Sequence, residues 1–232
     1  MTRGEEVRLD VAEQLLDQKN TRGALEIVRG MRQEGYDSGE LDLLQGRALR
    51  IDGLVDDSER LLLEADRKLK RDARPSTELC VLLADAGRVD EAVAHCQRAT
   101  EYDPTSSQAW NNLGFLLLVA ERPTEALAAS AKAVELDSTN ALFRNNLALA
   151  QAAAGRHEAA YQTYQSTLPR AVAAYNVGAA LERFDDPDHA LVYYERAIDF
   201  DPTHADAVAA LARLNDARPA GDSDTPPPGD TP

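Results

Sequence analysis

The sequence predicts an all-α fold made by stacking paired helices, and three observations carry that expectation. A pattern of small and large apolar residues returns every 34 residues along most of the chain. The composition is rich in Ala and Leu together with Glu, Asp and Arg, with only 5 % aromatic residues, which favours helices over strands. Gly residues and Asp-Pro pairs punctuate the pattern where helices have to stop. With a period of this length, no segment buries its apolar face alone, so neighbours must stack into one core.

The clearest repeat spans 107–140 and carries Trp110, Leu113-Gly114 and Leu117, then Ala126, Ser130 and Ala133. One period earlier, 73–106 places Leu79-Cys80, Leu83, Gly87, Ala92, Cys96, Ala99 and Asp103-Pro104 in the matching slots. The repeat 39–72 keeps the register with Gly46, Leu49, Gly53, Leu62 and Ala65, and 5–38 keeps it with Val11-Ala12, Leu15, Ala24 and Val28. Forward of the clearest unit, 141–170 has Leu147-Ala148, Gly155, Ala160 and Tyr164 but is four residues short, because Tyr175 to Gly178 and Leu181 arrive early. The repeat 171–204 follows, with Ala190, Tyr194, Ala197 and Asp201-Pro202. A lone first helix over 205–218 is expected to cap the stack. Beyond it, 219–232 has five Pro among fourteen residues and little to bury, which predicts a disordered, partly polyproline-II tail.

The W-x2-L-G-x2-L opening at Trp110, with the small–large–small series of the second helix, resembles the tetratricopeptide repeat. The resemblance extends over 5–218 and implies a right-handed superhelical solenoid of six repeats plus a capping helix. In three of the repeats Gly53, Gly87 and Gly155 fall where the first helix ends, the position suited to a left-handed φ. The family implies protein–protein adaptor work and no catalysis. Members that grip acidic C-terminal peptides use Lys and Asn at the fifth and ninth positions. Here those positions hold Asn111 and Phe115, Asn145 and Leu149, and Tyr175 and Ala179, so that clamp is not expected.

Composition excludes several other functions. A net charge of −15 argues against nucleic acid as the partner. No apolar run is long enough for a transmembrane segment. No phosphate loop, metal-spaced Cys/His set or nucleophile elbow is present, so no catalytic residue, cofactor or metal is expected. His95, His157, His189 and His204 read as solvated surface residues. Acidic pairs such as Asp56-Asp57 and Asp185-Asp186 read as helix-start residues.

Two sets of residues stand out. Cys80 and Cys96 occupy facing slots of one helical hairpin, either as a disulfide or as two buried thiols. The inward-facing second, fifth, ninth, twelfth and thirteenth positions of the middle repeats give Val81, Asn111, Phe115, Leu118, Val119, Leu142, Asn145, Leu149 and Tyr175. They form either an apolar partner-binding groove or core covered by neighbouring helices, whereas Asn112, Asn146 and Asn176 read as structural. The run Arg144 to Ala150, then Gly155-Arg156, then the shortened joint Leu168 to Gly178, is similar to the repeats of bacterial tight-adherence pilus lipoproteins. Six-repeat pilotins of type IV pili, which help secretin rings assemble, share that architecture. This implies an assembly factor holding an apolar or amphipathic segment of a pilus or secretion subunit. The alternative is a cytoplasmic adaptor or regulatory protein with an unrelated partner. No export signal opens the chain: a periplasmic, outer-membrane-associated place is expected if one was removed, and the cytoplasm otherwise.

Overall fold

The computed structural model describes residues 2–217; the tail expected over 219–232 lies outside the described residues. Among them are thirteen helices and no strand: α1 (Arg3–Asp17), α2 (Thr21–Gln33), α3 (Gly39–Ile51), α4 (Val55–Leu69), α5 (Ala73–Asp85), α6 (Val89–Tyr102), α7 (Ser107–Val119), α8 (Pro123–Leu136), α9 (Ala141–Ala153), α10 (His157–Gln165), α11 (Arg170–Arg183), α12 (Pro187–Phe200) and α13 (Ala205–Ala217). The fold is all-α, two helices per repeat and one final helix. The described residues divide into two compact lobes, one ending at Asn112 and the other beginning at Leu113. In the N-terminal lobe each helix from α1 to α6 packs on the next, and α1, α3 and α5 also pack in series. In the C-terminal lobe the same rule joins α8 to α13, with α9 against α11.

Local chemistry sets these boundaries. Thr2 and Glu5 form a capping box at α1, and Ser38, Asp72 and Asn140 cap α3, α5 and α9 with their side chains. Second helices α4, α6, α8 and α10 have no side-chain cap bond, and each instead carries acidic residues in its first turn, Asp56-Asp57 among them. After each first helix the fifteenth position of the repeat turns left-handed. Gly53, Gly87 and Gly155 have φ of +79°, +74° and +72°, and Lys19, Glu121 and Asp185 adopt +59°, +57° and +60° in the same slot.

The eighth and twenty-fourth positions face each other inside a hairpin. A Cβ on Gly46 would lie 2.8 Å from Leu62, and one on Gly178 would lie 2.7 Å from the Tyr194 ring. Helices this close leave no room for two large side chains, so one partner stays small. Cys80 and Cys96 hold this same pair of slots. Their Cα atoms are 5.1 Å apart and the two are joined as a disulfide across the α5–α6 hairpin.

The four-residue contraction is taken from a helix. α10 has 9 residues where α8 has 14, the connections after them, 137–140 and 166–169, are equal in length, and α11 begins at Arg170, one residue ahead of its repeat. The C-terminal core around this short helix is aromatic and Ala-rich, with Tyr161, Tyr164, Tyr193 and Tyr194 packed among Ala148, Ala160, Ala173 and Ala190. Burial pushes the Tyr164 phenol up to about 12.

Candidate partner-binding surfaces

In the C-terminal lobe, Phe115, Val119 and Leu142 leave 40 %, 43 % and 54 % of their surface exposed. Large apolar side chains on first helices that the core does not cover are the feature a binding face requires. The C-terminal ends of α7, α9 and α11 also frame a cavity of about 580 Å³, lined by Leu118, Val119, Ala153, Phe184 and the turn residues Glu121 and Asp185.

Not every residue expected on this face is presented by it. Leu118 is only 7 % exposed and Asn111 only 4 %. Successive residues rotate about 100° around a helix, so the edge between core and open face falls between the twelfth position, Leu118, and the thirteenth, Val119. Asn111 is a buried amide engaged by its surroundings, and it belongs to the N-terminal lobe, as does the half-buried Val81. Asn145 is exposed. Leu149 and Tyr175 pack on the C-terminal core instead of standing free. The Tyr175 ring lies 5.6 Å from Tyr194 and 5.0 Å from His204.

The N-terminal lobe holds a different cavity, about 250 Å³, between the first helices α1, α3 and α5. Its walls are charged: Arg47 bonds Asp17 at 2.7 Å and sits 3.2 Å from Glu78, Glu78 meets Arg50 at 2.7 Å, and Arg74 meets Glu40 at 2.6 Å. Burial opposes the charge on Asp72 beside this cavity, but the Arg74 guanidinium and backbone N–H outweigh it and hold the carboxyl low. The sequence does not single out this pocket, although inward-facing positions of the repeats line it. The second, fifth and ninth positions of the first three repeats include Leu9, Glu13, Glu40, Leu43, Arg47 and Arg74, all of which line it. The groove residues singled out from the sequence come from the middle repeats, and these positions, mostly of the first two repeats, are not among them.

The histidines also depart from expectation. His157 is buried, at 5 % exposure, and His189 and His204 are half-buried.

Family models of the tetratricopeptide repeat match residues 81–141 and 171–204. Among solved structures, the chain is similar to Pseudomonas aeruginosa pilF, at 17 % identity over 92 % of this chain and 97 % of that one, with a TM-score of 0.66. It is similar to YrrB, described as a TPR protein with an unusual peptide-binding site, at 19 % identity over 80 % and 97 % of the chains and a TM-score of 0.65. MamA from Desulfovibrio magneticus RS-1 matches at 20 % identity over 73 % and 98 %, with a TM-score of 0.57. No curated protein matches the chain. At these identities the likenesses establish the fold.

Proposed function

We propose that this chain, a carrier of tetratricopeptide repeats, is a non-catalytic scaffold that holds an apolar or amphipathic segment of a bacterial pilus or secretion subunit. The observation that carries the reading is the exposed trio Phe115, Val119 and Leu142 on the first helices of one lobe. An amphipathic helix laid on such a face is held by its apolar anchors, which supply most of the affinity. The assembly role is supported by the six-repeat architecture, the shortened repeat 141–170 and the fold shared with pilF. A disulfide at Cys80–Cys96 fits an oxidising compartment such as the periplasm.

Binding tests the proposal directly. Fluorescence anisotropy of the full chain with labelled peptides from secretin and pilus-subunit termini should give saturable binding that Phe115→Asp and Leu142→Asp abolish. Binding unchanged in both variants would move the contact off this face. Binding only to unrelated cytoplasmic peptides would favour the adaptor reading.

A further inference from the structure

Repeat stacking brings His157 in the C-terminal lobe onto Asp186 and His189, a pair of residues about thirty positions later in the sequence. α10 begins at His157 and α12 at Pro187, so these are equivalent positions of successive repeats. Asp186 precedes Pro187 as the N-cap of α12, and His189 follows within the same turn. Asp186 Oδ2 lies 3.8 Å from His157 Nε2 and 2.9 Å from His189 Nδ1. One donor atom from each of the three lies within 4.8 Å of the others, and the two imidazole centroids are 4.5 Å apart. His157 is buried, whereas the side chains of His189 and Asp186 keep 19 % and 33 % of their surface, so the cluster opens to solvent on one side. The Tyr193 ring stands edge-on behind His157 at 6.5 Å. The His189 backbone N–H donates to Asp186 Oδ1 at 3.2 Å, which fixes the carboxylate.

We propose that His157, Asp186 and His189 form a site for one divalent transition-metal cation of the zinc class. Metal–ligand bonds of about 2.0–2.1 Å around a tetrahedral centre put neighbouring donors roughly 3.3 Å apart. The observed 2.9 and 3.8 Å bracket that value, and every pair of donors lies within 4.8 Å, close to the spacing such a site requires. Two imidazoles and one carboxylate suit zinc, nickel or copper, and they are too few oxygens for calcium. The open side leaves the fourth position to water. The N-termini of α10 and α12 disfavour a cation, and the Asp186 carboxylate offsets them, with Glu158, Asp185 and Asp188 adjacent in the chain. The cation would tie the starts of two second helices, one of which, α10, is the shortest helix described in the chain. The sequence spacing could not show this, because the match arises between repeats and not along one helix.

The test uses the full chain without an affinity tag, stripped with a chelator and titrated with zinc alone by calorimetry and with cobalt by visible absorption. One equivalent of zinc should bind, cobalt should give the intense bands of a four-coordinate site, and the melting temperature should rise; calcium and magnesium should do neither. His189→Ala should weaken zinc at least tenfold with the helical signal unchanged, and Asp186→Asn, at a partly exposed position, gives a second reading if His157→Gln fails to fold. No zinc binding to the parent chain overturns the proposal. So does parent-like binding and an unchanged cobalt spectrum in both His189→Ala and Asp186→Asn, which would assign the metal to surface carboxylates.

Discussion

The two lobes share a backbone plan and fill it with different chemistry. The N-terminal lobe adds buried charge and one covalent bond to an aliphatic core that includes Leu16, Val28, Leu41 and Leu62: buried Asp42 pairs with Arg32 and Lys68 at 2.6 and 2.8 Å, buried Asp66 pairs with Arg98, and Cys80–Cys96 closes a hairpin. The C-terminal lobe is tied by tyrosines and alanines, and it keeps Phe115, Val119 and Leu142 outside its core. The facing slots at the eighth and twenty-fourth positions hold Gly46 and Leu62 or Cys80 and Cys96 in one lobe, and Gly178 and Tyr194 in the other. The fold therefore demands a size relation at these slots and not a residue type. What each lobe can bind is decided by residues that the fold leaves unconstrained.

The largest effects should separate the lobes. Cys96→Ala, or reduction, opens a loop of 16 residues in the N-terminal lobe and should lower its stability by about 3 kcal/mol. Gly178→Leu drives a side chain into the Tyr194 ring and should cost the C-terminal lobe about 3 kcal/mol through overpacking. Calorimetric melts of the two variants should each shift one transition and spare the other. A single transition shifted equally by both would show that the lobes unfold as one cooperative body.

The next contrast lies within the C-terminal lobe. Leu149 packs on the core, so Leu149→Asp leaves a poorly solvated charge and should destabilise by about 3 kcal/mol. Phe115, 40 % exposed, occupies the same ninth position one repeat earlier, and Phe115→Asp should change stability by less than about 0.5 kcal/mol. Urea denaturation of both reads the difference. Equal losses would mean that Phe115 is core and that the binding face has been misplaced.

That pair also shows how far the sequence was legible. The helices followed from the period, since α3, α5, α7, α9 and α13 begin on the first residue of their repeats. The short α10 followed from the four-residue contraction. The exposure of particular first-helix residues did not follow, because Phe115 and Leu149 are equivalent in the repeat and differ only in what their neighbours cover. The cavity at Arg47 and Glu78 was not legible because it forms between the first three repeats, and the His157–Asp186–His189 cluster because stacking is what brings His157 to the turn that holds Asp186 and His189.

The smallest effect tests what the lobes have in common. Lys19 in one lobe and Glu121 in the other hold the left-handed slot that Gly fills elsewhere, at φ of +59° and +57°. A side chain with a Cβ pays about 1–2 kcal/mol there, whereas Gly adds roughly 0.4–1 kcal/mol of unfolded-chain entropy, so the net gain from substitution is about 0.5–1 kcal/mol. Lys19→Gly and Glu121→Gly should therefore stabilise by similar amounts, read as matched rises in urea midpoint. Asp185, at +60°, should gain less from the same change, because a short polar side chain tolerates this conformation better than Lys or Glu. Should Glu121→Gly instead lower the midpoint while Lys19→Gly raises it, the backbone argument fails for the C-terminal lobe. The Glu121 side chain, at the rim of the 580 Å³ cavity, would then be making a contact worth more than the strain it carries.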